Sequence, residues 1–337
     1  MLVCNIEITI FPYDGDRIVL SSVHSCEVFK SADVLLDSCS FVVPLRKFYT
    51  EKLKVPELER SYVEVRMGYD DNLQPVFNGY IMYIQIDKCV TVWCSGELAK
   101  YKYIRLHENN MYGFSFPQLL KDQGIRENIV TSMRDKPGFF EIQEGTVFGL
   151  LEFLKRLHIH ACLTSDENDD SLIVLSRGYA VGRDLGRRFS LGKNIIDFKD
   201  AVVRFDLADD IRYNADVLIN KQLQCVDSEG KDRIVDAVIA VEWPEWRGRT
   251  IHMQFWGIDF DNDARAEAHD CALRNNIVRG RVELSRLITF GAEFVAPLEK
   301  ISVDWLEDVS GSYIVVSNAI SFGLNGIRQK IKMIACE

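Results

Sequence analysis

SYVEVRMGYDDNLQPVFNGYIMYIQIDKCVTVWCSG, residues 61–96, carries three strand-like runs separated by turn residues. Residues 61–67 alternate apolar with polar side chains at period two, the pattern of a strand with one buried and one wet face. Gly68 and Asp70-Asp71-Asn72 supply turn chemistry. Residues 76–86 return rich in aromatic and β-branched side chains, Asp87-Lys88 turns the chain again, and residues 89–94 make a third strand. The expectation is a three-stranded antiparallel meander.

The same grammar recurs near the C-terminus. Residues 299–305 alternate, an acidic turn with Gly311 follows, residues 313–320 run back, and residues 327–334 close the set. Gly79-Tyr80-Ile81 parallels Gly311, Tyr313 and Ile314, with the turn shortened and the spacing not strictly kept. The sequence leaves two readings open, a duplicated module or two unrelated meanders in a β-rich chain.

Outward from the first meander, residues 2–10 alternate and the Tyr13-Asp-Gly-Asp16 turn leads into residues 17–20, a first hairpin. Residues 25–43 read as two more strands closed by Pro44, and residues 50–60 as a charged excursion. Residues 1–100 are thus expected to form one all-β barrel domain, closure of which removes exposed edges. Residues 101–187 change character. Pro117 in the first turn and Gly124 at the end bracket a short helix. Val147, Leu150, Leu151, Leu154 and Leu157 share one face of a longer helix, followed by strands at 159–164 and 171–176. This is an α+β insert of helix plus hairpin. Residues 188–337 return to strands, with an alanine-rich helix at 263–275, and make a second barrel region. The expected class is mostly β (α+β): two small barrel domains around an α+β insert.

The bulk numbers exclude several classes. A chain of 337 residues fits about two to three domains at ~150 residues each. The hydrophobic fraction of 47% with 27% charged residues is that of a soluble globular protein. No run approaches the ~20 apolar residues of a membrane helix, and the N-terminus has no basic-then-apolar leader, so neither membrane insertion nor secretion is expected. The net charge of -10 disfavours a sequence-reading DNA binder, which needs a basic face for phosphates. The nine cysteines lack ligand-knuckle spacing and read as buried free thiols.

Each local hint of chemistry has a plainer account. Asp259, Asp261 and Asp263 resemble the opening of a calcium loop, but Ala264 stands where the loop needs glycine and Asp270 where it needs glutamate. An acidic helix start explains the run. His158, His160 and Cys162 share a strand face without the spacing of a tetrahedral zinc site. Phosphate-loop, dinucleotide and nucleophile-elbow motifs are absent. No catalytic residue, metal site or cofactor is therefore assigned. Trp243, Trp246, Arg247, Arg249 and Trp256 concentrate aromatic and guanidinium groups in one segment, a composition shared by interfaces and by core clusters, and are taken as a possible interface.

With these elements in order, the chain resembles phage baseplate hub proteins of the late control D family, related to the N-terminal region of VgrG spike proteins. The residues carrying the resemblance run along most of the chain. Residues 61–68 ending in Gly68, then Phe77-Asn-Gly79-Tyr80-Ile81, are similar to the family's strand and its Phe-x-Gly-x-Ile return. Phe189-Ser-Leu-Gly192-Lys-Asn194-Ile-Ile196 is similar to its Gly-x-Asn-Ile lead into the next domain, with Tyr213-Asn-Ala-Asp-Val217 as the following strand. Gly280-Arg-Val-Glu-Leu284, then Gly311-Ser-Tyr313-Ile-Val315 and Gly326-Ile-Arg328, follow its C-terminal order. The chain departs from the family at Phe290-Gly-Ala-Glu-Phe294, which replaces a proline-glycine approach, and no spike or lysozyme domain follows, so cell-wall cleavage is not expected.

The resemblance implies a non-enzymatic structural hub of a phage tail or tail-like injection system. Such a hub is a homotrimer in which two barrels per chain make a pseudo-sixfold ring, joining the tail tube to the central spike. DNA would pass through the lumen without sequence-specific contact, and the protein would be assembled in the bacterial cytoplasm and located in the virion baseplate. Two alternatives from other classes are a β-barrel polysaccharide or peptidoglycan hydrolase, and a monomeric glycan-binding module.

Overall fold

The computed structural model describes residues 3–45, 58, 60–107, 109–111, 115–131, 136–137, 140–142, 145–156, 159–165, 171–177, 179, 181–200, 284–291, 293–306 and 309–336. It also describes strand backbone at 202–203, 217–226, 232–241, 255–256, 258–259 and 282–283. The alanine-rich helix expected at 263–275 and most of the excursion at 50–60 lie outside the described residues.

The stretch at 61–96 folds as the alternation dictates. Strands β1 (Cys4–Phe11), β2 (Ile18–Leu20), β3 (Ser25–Ser31), β4 (Ser38–Pro44), β5 (Tyr62–Tyr69), β6 (Asn72–Ile86) and β7 (Cys89–Gly96) occupy the first part of the chain. Strands β5, β6 and β7 pair antiparallel in sequence order, with Val63, Val65 and Met67 turned into the core. Gly68 allows the tight first turn, since a Cβ there would lie 1.8 Å from the Asn72 carbonyl oxygen.

Helix α1 (Phe116–Asp122) begins at Ser115, whose hydroxyl accepts from the Gln118 N–H, and is followed by Gly124 at φ +93°. A short strand, β8 (Asn128–Thr131), then leads to helix α2 (Val147–Arg156), which buries Val147, Leu150, Leu151 and Leu154. Strands β9 (Ile159–Ser165) and β10 (Ser171–Arg177) form a hairpin, and β10 also pairs parallel with β8. The chain continues through β11 (Arg183–Ser190) and β12 (Ile195–Lys199). After the intervening strands come β13 (Ser285–Phe290), β14 (Glu299–Leu306), β15 (Val309–Gly323) and β16 (Gly326–Ala335).

The second meander is also present, as β14, β15 and β16 paired antiparallel in order. Its strands of 8, 15 and 10 residues answer strands of 8, 15 and 8 in the first. The likeness is one of element lengths. Gly79 faces Val63 at the far end of its hairpin, whereas Gly311 faces Val303 close to the turn, so the Gly-Tyr-Ile pairs do not occupy equivalent rungs.

Both meanders belong to one 13-stranded sheet with the path β12-β13-β16-β15-β3-β4-β7-β6-β5-β1-β2. The seam is the antiparallel pair β3–β15, running from Cys26 opposite Phe322 to Ser31 opposite Ser317. Residues from the two ends of the chain therefore share one ladder. Buried side chains gather accordingly. One cluster joins Ile8, Phe41, Val65 and Phe77 to Phe294, Ile320 and Ile327. A second lies among Phe189, Leu287, Val303 and Met333, and a third packs α1 and α2 on β9 and β10. A fourth, with Ala32, Val174 and Val316, lies between the third cluster and the seam. The protein is mostly β.

Candidate interaction surface

The side of the sheet away from the clusters carries an ordered row of side chains. Across successive ladders Tyr83 faces Trp93, Trp93 faces Ser40, Ser40 faces Glu27, Glu27 faces Ser321, Ser321 faces Arg328 and Arg328 faces Phe290. At one end the Tyr83 and Trp93 rings stack with centroids 5.5 Å apart. At the other the Arg328 guanidinium lies 4.8 Å over the Phe290 ring, a cation–π arrangement. An adjacent row runs Phe11, Tyr62, Tyr80, Ser95, Ser38, Phe29, Ala319 and Lys330.

The middle of both rows is short-chained. Ser38, Ser40, Ala319 and Ser321 floor a shallow depression of about 340 Å³ over the seam, rimmed by Phe29, Trp93, Glu27 and Lys330. Phe29, Trp93, Met82 and Tyr83 are exposed, each above a third of its surface. On the β13 and β16 side Lys330 and Lys332 are exposed, with Arg286 beside them paired to Asp197 at 3.7 Å, so the two lysines leave this flank basic in a chain of net charge -10. Such a mixture of aromatics and cations around a small-residue floor suits a protein contact better than solvent.

Buried polar groups hold the frame behind this face. Gln329 accepts from the Val295 N–H and from Asn318 Nδ2, and donates to the Phe290 and Glu293 carbonyls. Asn318 Nδ2 also donates to the Val295 carbonyl at 2.9 Å. Together the two amides fix residues 290–295 against β15 and β16. At the junction with the α+β part, Lys100 pairs with Glu97 at 2.7 Å and with Glu127, which also accepts from the Tyr101 hydroxyl. Burial opposes the Glu127 charge, but the bonds from Lys100 and Tyr101 prevail and hold its carboxyl below the usual range.

A cleft of about 740 Å³ opens where β6, β11 and residues 293–296 meet. One ion pair is buried in its wall: Arg187 pairs with the buried Glu299 at 2.7 Å and donates to the Phe294 carbonyl. Burial raises the Glu299 carboxyl despite Arg187. Among the described residues no group of three or more His, Cys, Asp or Glu side chains is placed to hold a metal.

The residues singled out in sequence fall into separate places. Phe77 and Ile81 are core, and Gly79 is required because a Cβ there would lie 2.1 Å from the Ser95 carbonyl oxygen. Tyr80 packs edge-on against Tyr62 at 5.4 Å. Gly192, at φ +79°, makes the turn between β11 and β12, where Asn194 Oδ1 accepts from the Ser190 N–H and Nδ2 donates to the Arg188 carbonyl. Tyr313 is buried edge-on against Phe198, and Gly311 is exposed on β15. These residues shape strands and turns and converge on no common site.

Trp243, Trp246, Arg247 and Arg249 lie outside the described residues, and Trp256 is placed by backbone alone, in a two-residue strand beside 217–226. The aromatic row with Tyr83, Trp93 and Phe290 was not singled out from sequence. One signal was available: in Cys89-Val-Thr-Val-Trp-Cys94, inward valines at 90 and 92 place Trp93 outward.

No protein-family model and no curated protein matches the sequence. Solved structures do match in fold. The chain is similar to the tail protein from Neisseria meningitidis MC58, with a TM-score of 0.62 and 13% identity over 97% of this chain and 96% of that one. The 43 kDa tail protein of prophage MuSo2 from Shewanella oneidensis gives 0.58 at 13% identity over 98% and 96%. The E. coli c3393 protein, a type VI secretion component described as structurally similar to T4 bacteriophage tail proteins gp27 and gp5, gives 0.55 at 8% identity over 94% and 74%. The fold is thus one found in phage tail proteins and in a component of the type VI secretion system.

Proposed function

We propose that the chain is a structural hub of a phage tail or tail-like injection apparatus. It works as a homotrimer that joins a hexameric tube to a trimeric spike. The observation that carries this reading is the pair of length-matched meanders within one continuous sheet. Two such units per chain, three chains to a ring, offer six similar surfaces to a sixfold partner and three identical ones to a threefold partner. Residues 1–100 and 188–337 would be the two barrel-type domains and 101–187 the α+β insert. The phage tail folds found for the whole length support the assignment. The virion baseplate is the corresponding location, with DNA crossing the lumen held off by like charge rather than bound.

Light scattering across a concentration series, with averaged electron-microscope images of the peak, tests the reading. Expected are a trimer, or a monomer–trimer equilibrium, and threefold rings with six peripheral lobes. A strict monomer at high concentration that binds glycans would replace it with the carbohydrate-binding alternative.

A further inference from the structure

The depression over the seam has a complement on the same chain. The turn between β1 and β2 holds Tyr13 at 94% exposure, with Asp14, Gly15 and Asp16 exposed beside it. An aromatic ring held out in water gains nothing for the isolated chain, and the ring with its two carboxylates forms an aromatic knob that stays acidic by one charge after the exposed Arg17 at its β2 end. The depression offers the opposite character: a floor of Ser40, Ala319 and Ser321 between two aromatic walls, with Lys330 on its rim and Lys332 beyond.

We propose that the β1–β2 turn of one chain docks into the seam depression of a second copy. Tyr13 lies on the small-residue floor between Phe29 and Trp93, and Asp14 and Asp16 face Lys330 and Lys332. This rests on the self-assembling hub reading and names the surface that performs it. Glu27 is the acid among the residues around the depression, so it directs the incoming carboxylates to the Lys330 side. Copies of net charge -10 repel each other over most of their surface, and this basic flank is a place where the repulsion reverses. Knob and depression are different surfaces, so the contact is head-to-tail and closes into a ring when its rotation permits.

A charge-swap experiment on the full chain decides the matter, read by sedimentation or light scattering at matched concentrations. Asp14→Lys with Asp16→Lys weakens association about 10-fold or more, and so does Lys330→Glu with Lys332→Glu. Mixing the two doubly substituted chains makes both contacts between unlike chains attractive, reversed knob on reversed depression and native knob on native depression, so the mixture associates more strongly than either chain alone, and the chain carrying all four substitutions recovers association to within about 3-fold of the wild type. Tyr13→Ser weakens association without recovery. All these positions are exposed, and unchanged thermal unfolding confirms that each variant folds. Association at wild-type strength in both charge-reversed chains would overturn the docking while leaving the hub intact, as would losses that the combined chain fails to restore. A wild-type chain that never associates would overturn both.

Discussion

Asp37 shows how one carboxyl couples the frame to pH. Its backbone carbonyl accepts from the Gly96 N–H, and burial pushes its side-chain carboxyl up to about 6, with Lys30 acting weakly the other way. In the unfolded chain the same group titrates at about 3.9. The folded state therefore holds the proton more tightly. The stability this group contributes is complete below pH ~4 and is lost as pH rises through about 6. Two units correspond to ~3 kcal/mol, and because the residue is only partly shielded from water, about 1–2 kcal/mol is the expected penalty at neutral pH. Asp37→Asn is accordingly expected to unfold at higher denaturant than wild type at pH 7.5, and at the same denaturant at pH 3.5. A gain of equal size at both pH values would assign the effect to packing. Glu127 runs in the opposite sense: its lowered carboxyl adds stability above pH ~4.5 that is lost on acidification.

At the scale of elements, the polar clamp on β15 and β16 is where a single amide determines the course of a loop. Gln329 is fully buried and meets three backbone groups of residues 290–295 besides Asn318. Gln329→Leu keeps the volume and leaves those partners unpaired, a cost of about 2–3 kcal/mol in denaturant unfolding. Lys330→Ala, one residue along but exposed, is expected to change stability by no more than ~0.5 kcal/mol. Equal losses in the two variants would refute the clamp. The contrast also explains what the sequence made legible. Alternation at 61–67 and at 299–305 printed both meanders because one face of each strand is buried. The β-bulge between Ile81 and Tyr83 then reverses the parity of β6, leaving Met82 and Tyr83 both exposed, at 51% and 56%. A period-two reading carried through that point assigns the later side chains to the wrong face, which hides the Tyr83–Trp93 stack. The seam between β3 and β15 left no local sign. Both strands show an ordinary inward pattern, and their pairing is fixed by how the sheet curls rather than by neighbouring residues.

At the scale of the molecule, the seam makes the two ends of the chain one structural unit. Six rungs join β3 to β15, and the Ala32 N–H adds a bond to the Val316 carbonyl at 2.9 Å. The first core is incomplete without Phe294, Ile320 and Ile327, which arrive from the last fifty residues. Opening β3 alone would expose that core and break the ladder at once, so neither half has a cheap way to melt separately. Native-state hydrogen exchange under increasing denaturant tests this. The protected amides of residues 26–31 and 317–322 are expected to merge into one exchange isotherm, with opening free energies within ~0.5 kcal/mol of each other and of global unfolding. Edge strand β2, held by three rungs to β1, should open well below them. If residues 26–31 exchange through a separate, lower-energy opening while 317–322 stay protected, the halves are independent domains that merely touch. A ring built from them would then flex at the seam, the very place where the docking depression needs its floor to be rigid.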